Sequence, residues 1–207
     1  MKTENMITLA VHSGKKEYVP LLENLFKSFL ICNSYPNIEI ILLETAGNNE
    51  VREWFSSINF SDFFSNFDGQ KTSIKKQNGV SIKKTLLFLD YPDDLPWHTC
   101  YMDSMNVAVK KASGEYFCFL AEDNQFVVKG DLFSDYIEAL NFFGPEKTML
   151  NTTSMQLYKY FKQNNSFESE ILKLGYFKCK NVKWDPTYFC SKSLYDSLGP
   201  PALSDVE

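Results

Sequence analysis

Two adjacent carboxylates, Glu122-Asp123, directly follow the apolar run Tyr116 to Leu120 and its neighbour Ala121. Adjacent carboxylates repel each other and are costly to desolvate, so placing them where a buried strand meets its loop needs a reason. One reason is a hard divalent cation. Mg2+ and Mn2+ take oxygen ligands and often combine one or two carboxylates with substrate phosphates. The other is a solvated turn that also caps the following helix. Glu44 ends the apolar run Ile38 to Leu43 in the same way, and His12-Ser13 ends Met6 to Val11.

These residues need elements to hold them. Met6 to Val11 reads as a strand, and Glu17 to Ile31 as a helix with apolar residues at helical spacing and Pro20 in its first turn. Ile38 to Leu43, interrupted only by Glu39, suits a strand buried on both faces of a parallel sheet. Glu50 to Ile58 reads as a short helix. Thr85 to Leu89 and Tyr116 to Leu120 are further strands, and Thr99 to Ala112 and Asp131 to Phe143 further helices, the latter capped by Asp131. Phe60 to Phe67 predicts a short amphipathic helix. In Lys71 to Lys84, Asn78-Gly79 is a hairpin signal, and the lysines read either as an exposed, soluble hairpin or as a phosphate or acidic-lipid patch. After Met149 the pattern loosens, with short strands expected near Tyr176 and Tyr188.

Alternation of this kind predicts an α/β fold with crossover helices, and ligands of such sheets bind outside the carboxyl ends of the strands. His12, Ser13, Glu44, Glu122 and Asp123 then share one sheet edge. A nucleotide diphosphate lying there would meet Glu44 at its base or ribose, backbone donors from the first loop, and a metal at its phosphates.

Composition narrows the classes. The 207 residues, 44% hydrophobic and 23% charged, fit a globular domain, and no apolar run is long enough for a spanning helix. The formal net charge is −5, and of 21 basic residues all but Arg52 are lysines. No overall basic footprint for nucleic acid is present. Phosphate handling must therefore fall to lysine, backbone N–H groups or a metal. Five widely spaced cysteines without a CxxC pair read as reduced and structural, in keeping with a cytoplasmic chain, and no secretion signal is expected at the amino end. His98, near Asp93 and Asp94, reads as an acceptor-binding or surface residue. Trp97 and Trp184 read as sugar-stacking or core residues. No glycine-rich P-loop or GxGxxG is visible.

The order of features resembles family 2 glycosyltransferases. The most specific stretch is Asn106 to Asn124, in which a helical Asn precedes Gly114-Glu115-Tyr116 and an apolar strand runs into Glu122-Asp123-Asn124. Met6 to Leu30 and Glu39 to Thr45 are similar to the family's opening units, and Phe189 to Gly199 to its strand and helix before a catalytic carboxylate. The resemblance implies a GT-A-like three-layer α/β/α sandwich with a mostly parallel central sheet. It spans 1–207 as one domain, with a nucleotide-binding part at 1–125 and an acceptor part at 126–207 whose carboxyl end is short for the fold.

It further implies inverting, metal-dependent transfer of a sugar from a nucleotide-diphosphosugar, UDP-sugars favoured, to a carbohydrate or other hydroxyl acceptor. Val11, His12 and Ser13 would pack on base and ribose, and Glu44 would stand for the aspartate that hydrogen-bonds the base. Glu122 would contact ribose or diphosphate, and Asp123 would hold Mn2+ or Mg2+. Asp205, with Glu207 second, would be the catalytic base. The chain departs from the family in having Glu at 44 and 122 and no arginine in the helix before the motif. Two other readings stand beside this one: a nucleotide-sugar-binding module without a working base, and a sugar-phosphate nucleotidyltransferase, for which Gly14-Lys15-Lys16 is the only phosphate-loop match.

Overall fold

The computed structural model describes residues 5–13, 18–58, 81–89, 91–92, 94–127, 129–151, 167–168, 175–176 and 188–198. Strand β1 (Ile7–Ser13) leads to helix α1 (Val19–Cys32), β2 (Asn37–Glu44), α2 (Asn49–Ser57) and β3 (Ser81–Phe88). Next come α3 (Trp97–Lys111), β4 (Tyr116–Ala121), α4 (Leu132–Phe143) and β5 (Met149–Asn151). Short strands β6 (Phe167–Glu168) and β7 (Gly175–Tyr176) form a separate two-stranded pair, and β8 (Tyr188–Ser191) runs into α5 (Lys192–Leu198).

Six strands form one sheet in the order β3-β2-β1-β4-β8-β5. The first four pair in parallel, whereas β8 runs antiparallel to both β4 and β5. The near-continuous apolar run of β2 has the expected physical cause, because its two sets of alternating side chains enter different cores. Ile38, Ile40 and Leu42 pack with Ile7, Leu9 and Val11 against Phe26 and Phe29 of α1, Phe55 of α2 and Phe133 of α4. Ile41 and Leu43 face the other way, with Ala10, Phe117 and Phe119, against Met105 and Val109 of α3 and Leu194 and Tyr195 of α5. The result is a three-layer α/β/α sandwich with a mostly parallel sheet.

A buried polar knot holds the amino-terminal half of the sheet. Glu39, 1% exposed, accepts from the Thr8 hydroxyl at 2.8 Å and the Ser113 backbone N–H at 2.7 Å, and pairs with Lys83 at 2.7 Å. Burial pushes the Glu39 carboxyl up, but the Lys83 ion pair and the Ser113 and Thr8 hydrogen bonds outweigh it and hold the group below its ordinary value. Gly114 sits against this knot. A Cβ there would lie 2.7 Å from both the backbone nitrogen and the hydroxyl of Thr8.

The lysine-rich stretch is described only at its end. Asn78-Gly79 and the Phe60 to Phe67 helix lie outside the described residues. Residues 81–84 are the start of β3, paired in parallel with β2. Lys83 neutralises Glu39. Lys84 Nζ donates to the carbonyls of Phe55, Ser56 and Ile58, at 3.0, 2.9 and 2.6 Å, where α2 ends. A helix carboxyl end leaves carbonyls unsatisfied and favours a cation, so both lysines serve the fold.

Candidate functional site

The sheet brings the strand ends to one level. Ser13 of β1 is the register partner of Glu44 of β2, and Glu44 is that of Phe88 of β3. On the other side His12 pairs with Ala121 of β4, the residue before Glu122. The chain adds β2 and β3 on one side of β1, then crosses to place β4 on the other. The crevice outside the carboxyl ends of β1 and β4 is thus a topological switch point, the usual ligand position in such sheets.

His12 ties β1 to the loop after β2. Its Nε2 lies 3.1 Å from the Thr45 hydroxyl, and its ring meets Tyr101 of α3 edge-on at 5.1 Å. The Thr45 N–H and hydroxyl both donate to the Ser13 carbonyl, at 3.0 and 3.2 Å. A hydroxyl that donates there accepts from His12, which assigns the ring proton to Nε2. Burial lowers the His12 pKa from 6.5 to about 4, so the ring is neutral at physiological pH. Ser13 is 1% exposed, and its hydroxyl has no partner among the described residues.

Glu44 is fully buried. Its Oε1 accepts from the backbone N–H groups of Ala46 and Asn48, at 2.8 and 3.0 Å, and its Oε2 from Arg52 Nε at 3.0 Å. Asn48 in turn caps α2, its side chain accepting from the N–H groups of Glu50 and Val51. The carboxylate therefore works inward, shaping the loop at residues 45–48 from beneath, and does not stand bare at the crevice.

The acidic pair has a local cause for its position. Asn124 N–H donates to the Ala121 carbonyl at 3.1 Å, and its side-chain oxygen accepts from the Ala121 N–H at 2.7 Å. This doubly closed turn carries Glu122, half-buried, and Asp123, exposed, at its tip. Asn124 is a site residue to which the sequence reading gave no role. An Asn after an acidic pair at a strand end was its signal, since Asn side chains close turns on their own backbone. Among the described residues no group of three or more His, Cys, Asp or Glu side chains is placed to hold a metal.

Within the layer formed by α3 and α5, the Tyr195 hydroxyl of α5 donates to the Asn106 side-chain oxygen of α3 at 2.7 Å, fixing the last described helix against the crossover helix. Trp97 and His98 open α3. Asp93, Trp184, Asp205 and Glu207 lie outside the described residues.

No protein-family model and no curated protein matches the chain. Solved structures do match. The mannosyltransferase PcManGT from Pyrobaculum calidifontis, in complex with GDP-Man and Mn2+, aligns with a TM-score of 0.58 at 12% identity, over 96% of this chain and 48% of that one. The fold is the GT-A fold of glycosyltransferases. S. aureus TarS 1-349 aligns with a TM-score of 0.54 at 13% identity, over 93% of this chain and 48% of its own. The chain thus spans about half the length of these GT-A structures. Among the described residues of this GT-A chain, no helix is long and apolar enough to cross a membrane.

Proposed function

We propose that the protein is a family 2-like glycosyltransferase that moves a sugar from a nucleotide-diphosphosugar, a UDP-sugar first, to an acceptor hydroxyl with inversion. One observation carries this reading: an exposed Asp123 held on a closed turn at the switch point of a GT-A sheet, level with the ends of β1 and β2. The stretch Asn106 to Asn124 supports it independently. In this reading 1–207 act as one domain, with the donor at 1–125 and the acceptor at 126–207.

Each residue has a stated task. Val11, His12 and Ser13 form the floor under base and ribose, with neutral His12 holding the Thr45 loop. Glu44 acts through that loop. Glu122 meets ribose or diphosphate. Asp123 fits a divalent cation shared with substrate phosphates, because its carboxylate offers a hard oxygen ligand. Mn2+ or Mg2+ bound by Asp123 and the donor's diphosphate would neutralise charge on the leaving group. The acceptor oxygen attacks the anomeric carbon, the bond from that carbon to the diphosphate breaks, and the acceptor proton passes to Asp205, or to Glu207 in its place. The nucleoside diphosphate leaves.

Calorimetric titration of UDP with and without Mn2+ tests the core of this reading. Wild type should bind UDP more tightly with the metal, and Asp123→Ala should lose that gain. An unchanged gain in the variant overturns the metal role of Asp123.

A further inference from the structure

The segment that leaves the acidic turn is gripped by a helix remote in sequence. Phe126 lies three residues beyond Asp123. Its backbone N–H donates to the Ser28 hydroxyl at 3.0 Å, and its carbonyl accepts from the Cys32 thiol at 3.3 Å. Ser28 and Cys32 stand about one turn apart in α1, so their side chains share a face and reach both polar groups of one residue. The Ser28 hydroxyl spends its proton on the Leu25 carbonyl at 2.8 Å, which leaves its oxygen to accept. The Phe126 ring completes the grip, edge-on to Phe29 at 5.3 Å and to Phe133 at 6.3 Å. Further on, the Gly130 N–H donates to the Cys32 carbonyl at 2.9 Å, and the Gly130 carbonyl accepts from the Ser34 N–H at 3.2 Å.

Buried backbone groups need partners wherever they lie, so satisfying Phe126 is by itself a matter of folding. Its position just after the proposed metal ligand adds a second effect. The Asn124 side chain and N–H close the turn onto Ala121, which fixes the incoming arm to β4. Without a hold on Phe126 the outgoing arm would be free to swing about that closure. Asp123 stands at the tip of the turn, exposed, and would swing with it. A carboxylate that shares a cation with a diphosphate must stay within about 0.5 Å of its working position, and the groups behind a ligand set that position. Helix α1 supplies the second fixed point. Ser28 takes the larger part, because a hydroxyl oxygen is a full acceptor and a thiol only a weak donor.

We propose that Ser28, by holding Phe126, is a positioning residue for Asp123 as a ligand of the donor's metal. The inference rests on the nucleotide-sugar reading above. The test is calorimetric titration of UDP, with and without Mn2+, into wild type, Ser28→Ala, Ser28→Thr and Asp123→Ala, with a melting midpoint for each. Ser28→Ala should cut the affinity gained from Mn2+ by about tenfold, as removal of a group that orients a metal ligand does. Its affinity for UDP without metal should stay as in wild type. Ser28→Thr keeps the hydroxyl and should keep the gain. A role in folding alone would lower the melting midpoint and leave the gain intact in the folded protein. If Ser28→Ala does not fold, Ser28→Cys, close in size and a weaker acceptor, decides in its place. A loss that Ser28→Thr fails to restore overturns the proposal. The full gain in Ser28→Ala, with none in Asp123→Ala, overturns the positioning role and leaves the donor reading intact. No gain from Mn2+ in wild type overturns both.

Discussion

His12 shows what a single residue can report. Its pKa is about 4 in the fold against 6.5 for the free side chain, because burial disfavours the charged ring. Between those values the unfolded chain takes up a proton that the folded chain refuses. Stability therefore falls as pH drops from 6.5 toward 4, by on the order of 3 kcal/mol once both states are protonated, and the effect is absent above pH 7. Urea unfolding at pH 7.5 and 4.5 measures this. His12→Asn retains a donor for Thr45 and should show a clearly smaller loss over that window; equal losses would mean that His12 does not titrate as buried. At this scale the sequence was legible where chemistry is local. Glu122-Asp123 announced itself because an apolar run stopped abruptly on two charges. The inward turn of Glu44 was not legible, because it depends on where Arg52 and the loop N–H groups stand in space.

Elements meet closely at the turn between α3 and β4. In the sequence Gly114 reads as a helix stop, and Ala112 does end α3 with an extended backbone. The glycine itself is required by close approach. Any Cβ would collide with Thr8 and with the Met6 carbonyl at 2.8 Å, and those are backbone and buried atoms that cannot swing aside. Gly114→Ala should destabilise the protein by about 2 kcal/mol, as overpacking of a closed core does. Chemical denaturation checks this, and wild-type stability would show that the turn has slack. The same knot explains Glu39, the charge set inside the apolar run of β2. Its partners Thr8 and Ser113 lie 31 and 74 positions away, so no local pattern announces them.

At the level of the whole molecule, the proposed sugar transfer requires a carboxylate base in addition to the GT-A sandwich. Asp205→Asn in the full chain should lower release of UDP from a UDP-sugar by about a hundredfold or more while UDP affinity stays as in wild type. Wild type that binds UDP but releases none from any donor would make the protein a binding module, and loss in Glu207→Gln alone would move the base to that residue. The sequence by itself determined most of the segments that become strands and helices, because periodicity and abrupt polarity changes are written within ten or fifteen neighbouring residues. It also carried the order of the opening units and the Asn106 to Asn124 block, and with them the fold. Only the tertiary structure decided the rest. It set β8 between β4 and β5, drew Lys83 and Lys84 into β3 and turned Glu44 onto its own loop. Those outcomes depend on which distant groups meet, and a buried charge takes its role from the partner that space supplies.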